Sequence, residues 1–495
     1  MSAATLCTAE VRFSSFFSDG AVLQRDMPVP VWGAADPGGK IEVLFRGQTV
    51  ATTADDVGRW RVTLGPLSAS AEPAELIVRD GAGTVVAGNV LVGDVWLCSG
   101  QSNMAMPVRD ARDAKTEMAA AAFPQIRQFY IPRAASETPL ADARGAWAVC
   151  GPGTVADFSA AAYYFGRELH QRLGVPVGLI NSSRGATQIE SWMSEESLRA
   201  DPAFAPVFAR WQKRLDLIPA RMQAYEEAML RWEEGARRAR EQGLAYKRPR
   251  PKKPDATEIR WRPAGLYNAM IHPVTPASIR GVIWYQGETN SVRHAEYAPL
   301  FKTMITQWRA AFRQPGLPFY YVQLANTVRK HDPTGEEFAF LREAQRAALQ
   351  LPGTGMVVTV DIGDNNIHPA NKQDVGRRLA SVALAKTYGW QEEYSGPLFK
   401  KAERLGREFH LQFSHAHGLR FSPGRTGKGF EMADASLNFV EADARIEGEM
   451  IIVSSPQIGE PRAVRYAWGN APVASLFNAG RLPASPFLHV EDAGQ

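Results

Sequence analysis

The chain has 495 residues, 45% of them hydrophobic and 22% charged, which is the composition of a soluble globular protein with ample length to bury a core. Its 56 basic and 52 acidic residues leave a net charge of +4, too near balance to imply a strongly anionic partner such as nucleic acid. Three scattered cysteines, Cys7, Cys98 and Cys150, do not make a disulfide framework or a zinc site, and no apolar run reaches the roughly 18 residues that span a bilayer.

Residues 1–8 lack a basic start followed by an apolar core, so no signal peptide is expected. The compartment stays open: periplasmic or secreted if a signal peptide was removed, otherwise cytoplasmic. The first ninety residues then read as β. Short alternating runs at 29–33, 41–45, 60–64 and 75–78 are separated by turn chemistry at 36–39, 56–58 and 80–83. That spacing predicts an immunoglobulin- or jelly-roll-like β-sandwich over 1–90.

From Val95 onward apolar strands alternate with helical periodicity. Strands are predicted at 95–97, 177–180, 281–285, 319–324 and 356–360, and helices at 159–173, 295–313, 336–349 and 373–388. Alternating β and α units predict a mainly parallel sheet covered on both faces, spanning 91–393 and binding ligands beyond the carboxyl ends of its strands. A charged helical insertion is expected at about 195–262. It ends in the basic, proline-rich run Lys247-Arg-Pro-Arg-Pro-Lys-Lys-Pro254, read as a solvated linker. Residues 394–495 return to β and predict a second sandwich, or strands that complete the first.

Four predicted strand ends carry the chemistry. They are Gly100-Gln-Ser102-Asn-Met104, Asn181-Ser-Ser-Arg184-Gly185-Ala186, Gln286-Gly-Glu288-Thr-Asn290 and Asp361-Ile-Gly-Asp364-Asn365-Asn-Ile-His368. A parallel sheet brings such ends to one edge, where a serine, a histidine with nearby aspartates and two glycine/amide turns would meet. Acyl transfer by a serine enzyme needs this set: a hydroxyl nucleophile, a base to take its proton, an acid to orient the base, and N–H donors for the oxyanion. Each member also has a plainer role. Ser102 can cap a helix, Gly185 can serve a tight turn, Gln286 and Asn290 can cap backbone groups, and Asp361 and Asp364 can bind turn amides.

With these motifs, the chain resembles the sialate O-acetylesterase family of SGNH hydrolases. The resemblance also rests on Val31-Trp-Gly33, Gly58-Arg-Trp60, Leu91-Val-Gly-Asp-Val-Trp-Leu97, Ile189-Glu-Ser-Trp192, Leu266-Tyr-Asn-Ala-Met-Ile271, Ile367-His-Pro369 and Leu482-Pro-Ala-Ser-Pro-Phe487, in the family's order over nearly the whole chain. It implies a flavodoxin-like three-layer α/β/α domain with N-terminal and C-terminal β-sandwich elements. It implies hydrolysis of acetyl esters on sugars through a serine acyl-enzyme, with no metal and no cofactor. The expected partner is an acetylated sugar or polysaccharide, with no nucleic acid and no membrane; oligomeric state stays open. Carried over residue by residue, Ser102 is the nucleophile and His368 the general base. The Ser102 N–H, Gly185 and the Gln286 side chain are the oxyanion donors.

Two departures stand out. Ala186 occupies the second position of the glycine pair after Arg184, and Asn365 stands three residues before His368, where SGNH enzymes place the acid. The triad acid is therefore Asp364, then Asp361, or is replaced by a backbone carbonyl. For sugar contacts the candidates are Arg184, Trp192, Tyr267, Glu288 and Asn290, with Trp284 and Tyr285 as further aromatics. Arg184 or Arg293 would meet a sialic acid carboxylate. Acetylated xylan or xyloglucan, which needs no such cation, is the alternative substrate. A carbohydrate-binding protein that had lost catalysis would be expected to lack Ser102 or His368, and both are present.

Overall fold

In the segment 90–100 (Val-Leu-Val-Gly-Asp-Val-Trp-Leu-Cys-Ser-Gly) hydrophobic alternation disappears, as in a strand buried on both faces. In the computed structural model, which describes residues 11–254, 259–329 and 331–491, it is the second half of one 17-residue strand, β1 (Thr84–Gly100), buried from Val90 to its end. Around it lie β2 (Ile126–Tyr130), β3 (Ala146–Val149), β4 (Val177–Ser183), β5 (Gly281–Tyr285), β6 (Phe319–Val322) and β7 (Thr354–Val357). The order across the sheet is β3-β2-β4-β1-β5-β6-β7, parallel except for the β2–β3 hairpin. Without that hairpin the parallel strands run second, first, third, fourth, fifth, the flavodoxin-like order.

Side-chain alternation along β6 shows the two covering layers. Tyr320 packs with Trp96 of β1, which in turn meets Phe165 of helix α2 (Ala160–Leu173). Its neighbours Phe319 and Tyr321 turn to the other face, against Phe301 and Trp308 of α3 (His294–Ala311). Two further helices, α4 (Glu337–Arg346) and α5 (Lys372–Lys386), complete the layers beside α3 and α2 respectively. A Cβ on Gly376 of α5 would come 2.5 Å from that of Tyr164, so α5 and α2 touch backbone to backbone. The fold is the α/β/α architecture expected, and the predicted helices are present with ends shifted by one to three residues.

The N-terminal β unit is less separate than a boundary at 90 implies. The first half of β1 pairs with Ser70–Arg79, while Val22–Gln24 pairs with Leu91–Gly93, so one strand runs through both units without a linker. The apolar residues of the two units form one continuous core, from Val11 and Trp32 to Leu384. By contrast, the C-terminal region has its own core, with Phe409, Leu411 and Val453 of one four-stranded sheet facing Phe430, Tyr466 and Phe487 of another. It is a second sandwich and does not complete the first.

The insertion contains the helices Glu195–Ala200, Ala205–Asp216 and Ile218–Glu241, and only Met229 of the longest is buried. Residues 243–254 fold back beside it without regular structure, and the Trp232 indole donates to the Arg248 carbonyl at 2.8 Å. Cys98 and Cys150 are buried free thiols, and Cys7 lies outside the described residues. Among the described residues no helix is long and apolar enough to cross a membrane.

Candidate active site

At the end of β1 the backbone turns sharply. Gly100 has φ of +141°, and a Cβ there would stand 2.2 Å from the Tyr285 carbonyl oxygen at the end of β5, so only glycine fits. That carbonyl accepts the Gln101 N–H at 3.0 Å, which fixes the turn to the neighbouring strand. Ser102 is then the first residue of the one-turn helix α1 (Ser102–Ala105). Its N–H is one of the donors that a helix start leaves unpaired. On the far side of this turn, Ser159 donates its hydroxyl to the Met104 carbonyl at 2.6 Å. The turn that carries Ser102 is thus held from β5 and from the start of α2.

The loop between β7 and α5 brings His368 to this turn, its Nε2 2.7 Å from Ser102 Oγ. Partial burial, and then the nearby Lys372 ammonium, lower the His368 pKa from its ordinary 6.5. The imidazole is therefore neutral at neutral pH and ready to accept the hydroxyl proton. The loop after β4 supplies Gly185, on which a Cβ would stand 3.3 Å from the Ser102 Cβ and 3.9 Å from the Ser102 nitrogen. A side chain there would crowd Ser102. Arg184 N–H is bonded to the Gly100 carbonyl at 3.1 Å, which keeps this loop against the turn that carries Ser102. Ala186, at the position where a second glycine was expected, adopts a left-handed φ of +57°. The change keeps the backbone shape at a strain cost of about 1 kcal/mol.

Other expected members are engaged elsewhere. Gln286 is fully buried; its Nε2 donates to Thr187 O at 3.1 Å and to Asn290 Oδ1 at 2.8 Å, and its Oε1 accepts from Tyr297. No amide hydrogen remains for an oxyanion, so the expected Gln286 role is corrected to a structural one. Asn290 accepts from Ile189 N–H and donates to Glu190, bracing the same two loops from behind. Glu288, 5% exposed, accepts from Asn103 rather than facing a sugar. Trp192 is fully buried and donates to Thr187 Oγ1, Tyr267 is 6% exposed, and neither lines the cleft over Ser102. Trp284 and Tyr285 are core residues, and Arg293 pairs with the buried Glu190 at 3.0 Å.

The expected acids are corrected in the same way. Asp364 accepts the N–H groups of Asn366 and Ala370, at 3.1 and 3.2 Å, and so ties its own loop. Asp361 forms a two-pronged pair with Arg378, at 2.7 and 2.6 Å. Asn365 is exposed with a left-handed φ of +64°, a conformation asparagine tolerates. Among the described residues no aspartate or glutamate pairs with His368, whose hydrogen-bonding contact is with Ser102.

A cleft of about 480 Å³ opens over Ser102 and His368, lined among others by Gly185, Asp110, Arg133, Arg184 and Arg260. It continues past Ala105, Pro107 and Arg133 into a second hollow of about 590 Å³ beside Tyr130, whose side chain is 41% exposed. Arg133 and Arg260 were not anticipated; lone arginines in a loop and at the end of an insertion carry no sequence signal. Asn103 and Lys372 were missed too, although each sits within a motif, next to Ser102 and four residues after His368. Among the described residues no group of three or more His, Cys, Asp or Glu side chains is placed to hold a metal.

Residues 254–385 match the family model described as carbohydrate esterase, sialic acid-specific acetylesterase. The rat sialate O-acetylesterase is 30% identical over 96% of this chain and 94% of its own length; the human enzyme is 28% identical over 96% and 92%. A crystal structure of a carbohydrate acetylesterase from Xanthomonas citri superposes with a TM-score of 0.83 at 37% identity, covering 97% of this chain and 99% of that one.

Proposed function

The chain belongs to the sialate O-acetylesterase family of carbohydrate esterases, and we propose that it removes acetyl groups from sugar hydroxyls by means of a Ser102–His368 dyad. Ser102 Oγ attacks the acetyl carbonyl carbon while His368 Nε2 takes its proton. The Ser102 and Gly185 N–H groups receive the oxyanion of the tetrahedral intermediate. Collapse breaks the bond to the sugar oxygen, which leaves with the proton from the imidazolium. Water then attacks the acetyl-serine, His368 takes its proton and returns it to Ser102 Oγ, and acetate departs. The single observation that carries this reading is the 2.7 Å approach of His368 Nε2 to Ser102 Oγ at the floor of an open cleft.

For the sugar, we infer an acid-bearing substrate such as an O-acetylated sialoside. Three arginines, Arg133, Arg184 and Arg260, line the cleft against one acid, Asp110, and guanidinium groups suit carboxylates. A longer neutral polysaccharide, acetylated xylan or xyloglucan, is the second reading, favoured by the continuation of the cleft along Tyr130. Acetate release from acetylated sialosides, xylan and xyloglucan separates the two: a preference for the neutral polymers would overturn the acidic-sugar reading. On p-nitrophenyl acetate, Ser102→Ala is expected to lower kcat by about 10⁴-fold or more. Turnover near the wild-type rate in that variant would refute the nucleophile.

A further inference from the structure

The dyad raises a positional question. A triad acid normally holds the imidazole in place, and among the described residues none does. The loop carrying His368 is exposed from Asp364 to His368, yet it must keep one ring nitrogen within hydrogen-bond reach of Ser102. Two hydrogen bonds grip the loop on either side of the histidine. The Asn103 amide donates from Nδ2 to the carbonyl of Ile367 at 2.9 Å, and Lys372 Nζ donates to the carbonyl of Pro369 at 2.6 Å. These donors are joined to each other, because Lys372 Nζ also donates to Asn103 Oδ1 at 2.7 Å. The second hydrogen on Asn103 Nδ2 goes to Glu288 Oε1, so every hydrogen-bonding position of that amide is occupied except a second lone pair.

All three side chains are buried, Asn103 at 1% exposure, Lys372 at 0% and Glu288 at 5%. They come from three different elements. Asn103 follows Ser102 in α1, Glu288 follows the turn after β5, and Lys372 opens α5, its ammonium 5.3 Å from the centre of the Tyr285 ring. A buried lysine and a buried glutamate linked through one amide are costly to assemble, and their retention in the interior calls for a role.

Resting on the Ser102–His368 reading, we propose that Asn103, Lys372 and Glu288 form a clamp that holds His368 against Ser102, doing by backbone carbonyl contacts what a triad carboxylate does by contact with the imidazole. These are positioning residues; none touches the reacting atoms. Because Asn103 is bonded covalently to Ser102, the clamp ties the base to the nucleophile's own turn. Its grip survives either protonation state of Lys372, since a neutral amine still has the two N–H donors it uses. Burial lowers the Lys372 pKa to about 7, with Glu288 and Asp364 opposing, and raises that of Glu288. Lys372 is the charged group that acts on His368, Glu288 and Asp364 act in turn on Lys372, and Asp110, Arg133, Arg184 and Arg260 line the cleft that His368 shares.

The test uses the full chain with p-nitrophenyl acetate for turnover and diethyl p-nitrophenyl phosphate to label the nucleophile, with the labelled residue located by mass spectrometry. Lys372→Met is expected to lower kcat about 100-fold with little change in KM, as for a displacement of about 1 Å between reacting groups, and to slow Ser102 labelling in parallel. Loss of the ammonium should also raise the pH of the acid-side inflection of kcat/KM. Glu288→Gln keeps an acceptor for the Asn103 amide, so it should retain activity within about threefold, whereas Glu288→Ala should lose about tenfold or more. If Lys372→Met fails to fold, the Glu288 pair decides: equal losses in Gln and Ala would overturn the clamp by showing that charge, not the hydrogen bond, is needed. Unchanged kcat and labelling in a folded Lys372→Met would overturn it as well. A wild-type protein labelled at a residue other than Ser102 would instead refute the dyad itself.

Discussion

His368 works as a base only while its imidazole is neutral, and its surroundings favour that form. Burial comes first and the Lys372 ammonium second, and both hold its pKa under 6.5. The kcat/KM for an acetyl ester is therefore expected to be on its plateau at pH 7 and to fall only as pH drops through an inflection below 6.5. A pH–rate profile with its acid-side inflection above 6.5 would contradict the neutral resting state. At this scale the sequence was readable where one residue type admits one use. Ser102 and His368 were singled out because a strand-end serine and a loop histidine recur together for acyl transfer, and the structure brings them within 2.7 Å of each other. Gln286, Asn290 and Asp364 were misjudged because a polar side chain near a site either faces it or braces it. The choice depends on which backbone groups arrive beside it: Thr187 O for Gln286, Ile189 N–H for Asn290, and the Asn366 and Ala370 N–H groups for Asp364.

Among the elements, the charged insertion illustrates the limits of periodicity. Its helices were visible as alternating charge, yet among its described residues it is Arg260, at its end, that lines the cleft over Ser102. If the cleft takes a carboxylate-bearing sugar, Arg260→Ala should raise KM for an acetylated sialoside about tenfold, the loss of about 1.4 kcal/mol, and added salt should weaken wild-type binding in the same direction. Steady-state kinetics on the sialoside, with and without the substitution, measure this; an unchanged KM would remove Arg260 from recognition. The parallel strands and their helices were legible because both faces of the sheet demand apolar residues. The β2–β3 hairpin was not, since Ile-Arg-Gln-Phe-Tyr at 126–130 mixes polar residues into a strand next to the sheet edge, where Arg127 is buried by bonding to Asn89. Tertiary pairing decided that strand, and nothing local marked it.

Across the whole molecule, the N-terminal β unit and the hydrolase domain are one folding body joined at Asp94. This carboxylate lies in the middle of the shared strand β1 with no exposure. It receives Arg25 of the N-terminal unit at 3.0 Å, Arg280 before β5 at 2.9 Å, and the Tyr388 hydroxyl after α5 at 2.9 Å. Burial works to raise its pKa, but the Arg25 and Arg280 contacts and the Tyr388 hydrogen bond outweigh it and hold the carboxyl below its ordinary 3.8. A group whose folded pKa is depressed adds stability that is present above the unfolded pKa and is lost as pH falls through the folded one. Stability from this junction should therefore be complete at pH 5 and above and decline below pH 4. Asp94→Ala would leave the two half-buried guanidinium groups of Arg25 and Arg280 with only the more exposed Asp26 carboxylate, at 3.3 and 3.6 Å, at a cost of about 3 kcal/mol. Urea denaturation of wild type and variant at pH 7 reads that loss directly, and the gap between the two curves should narrow as the pH is lowered toward 3. The C-terminal sandwich, with a core of its own, has no contact through Asp94. A midpoint unchanged by the substitution would mean that the N-terminal unit is held by the continuous apolar core alone.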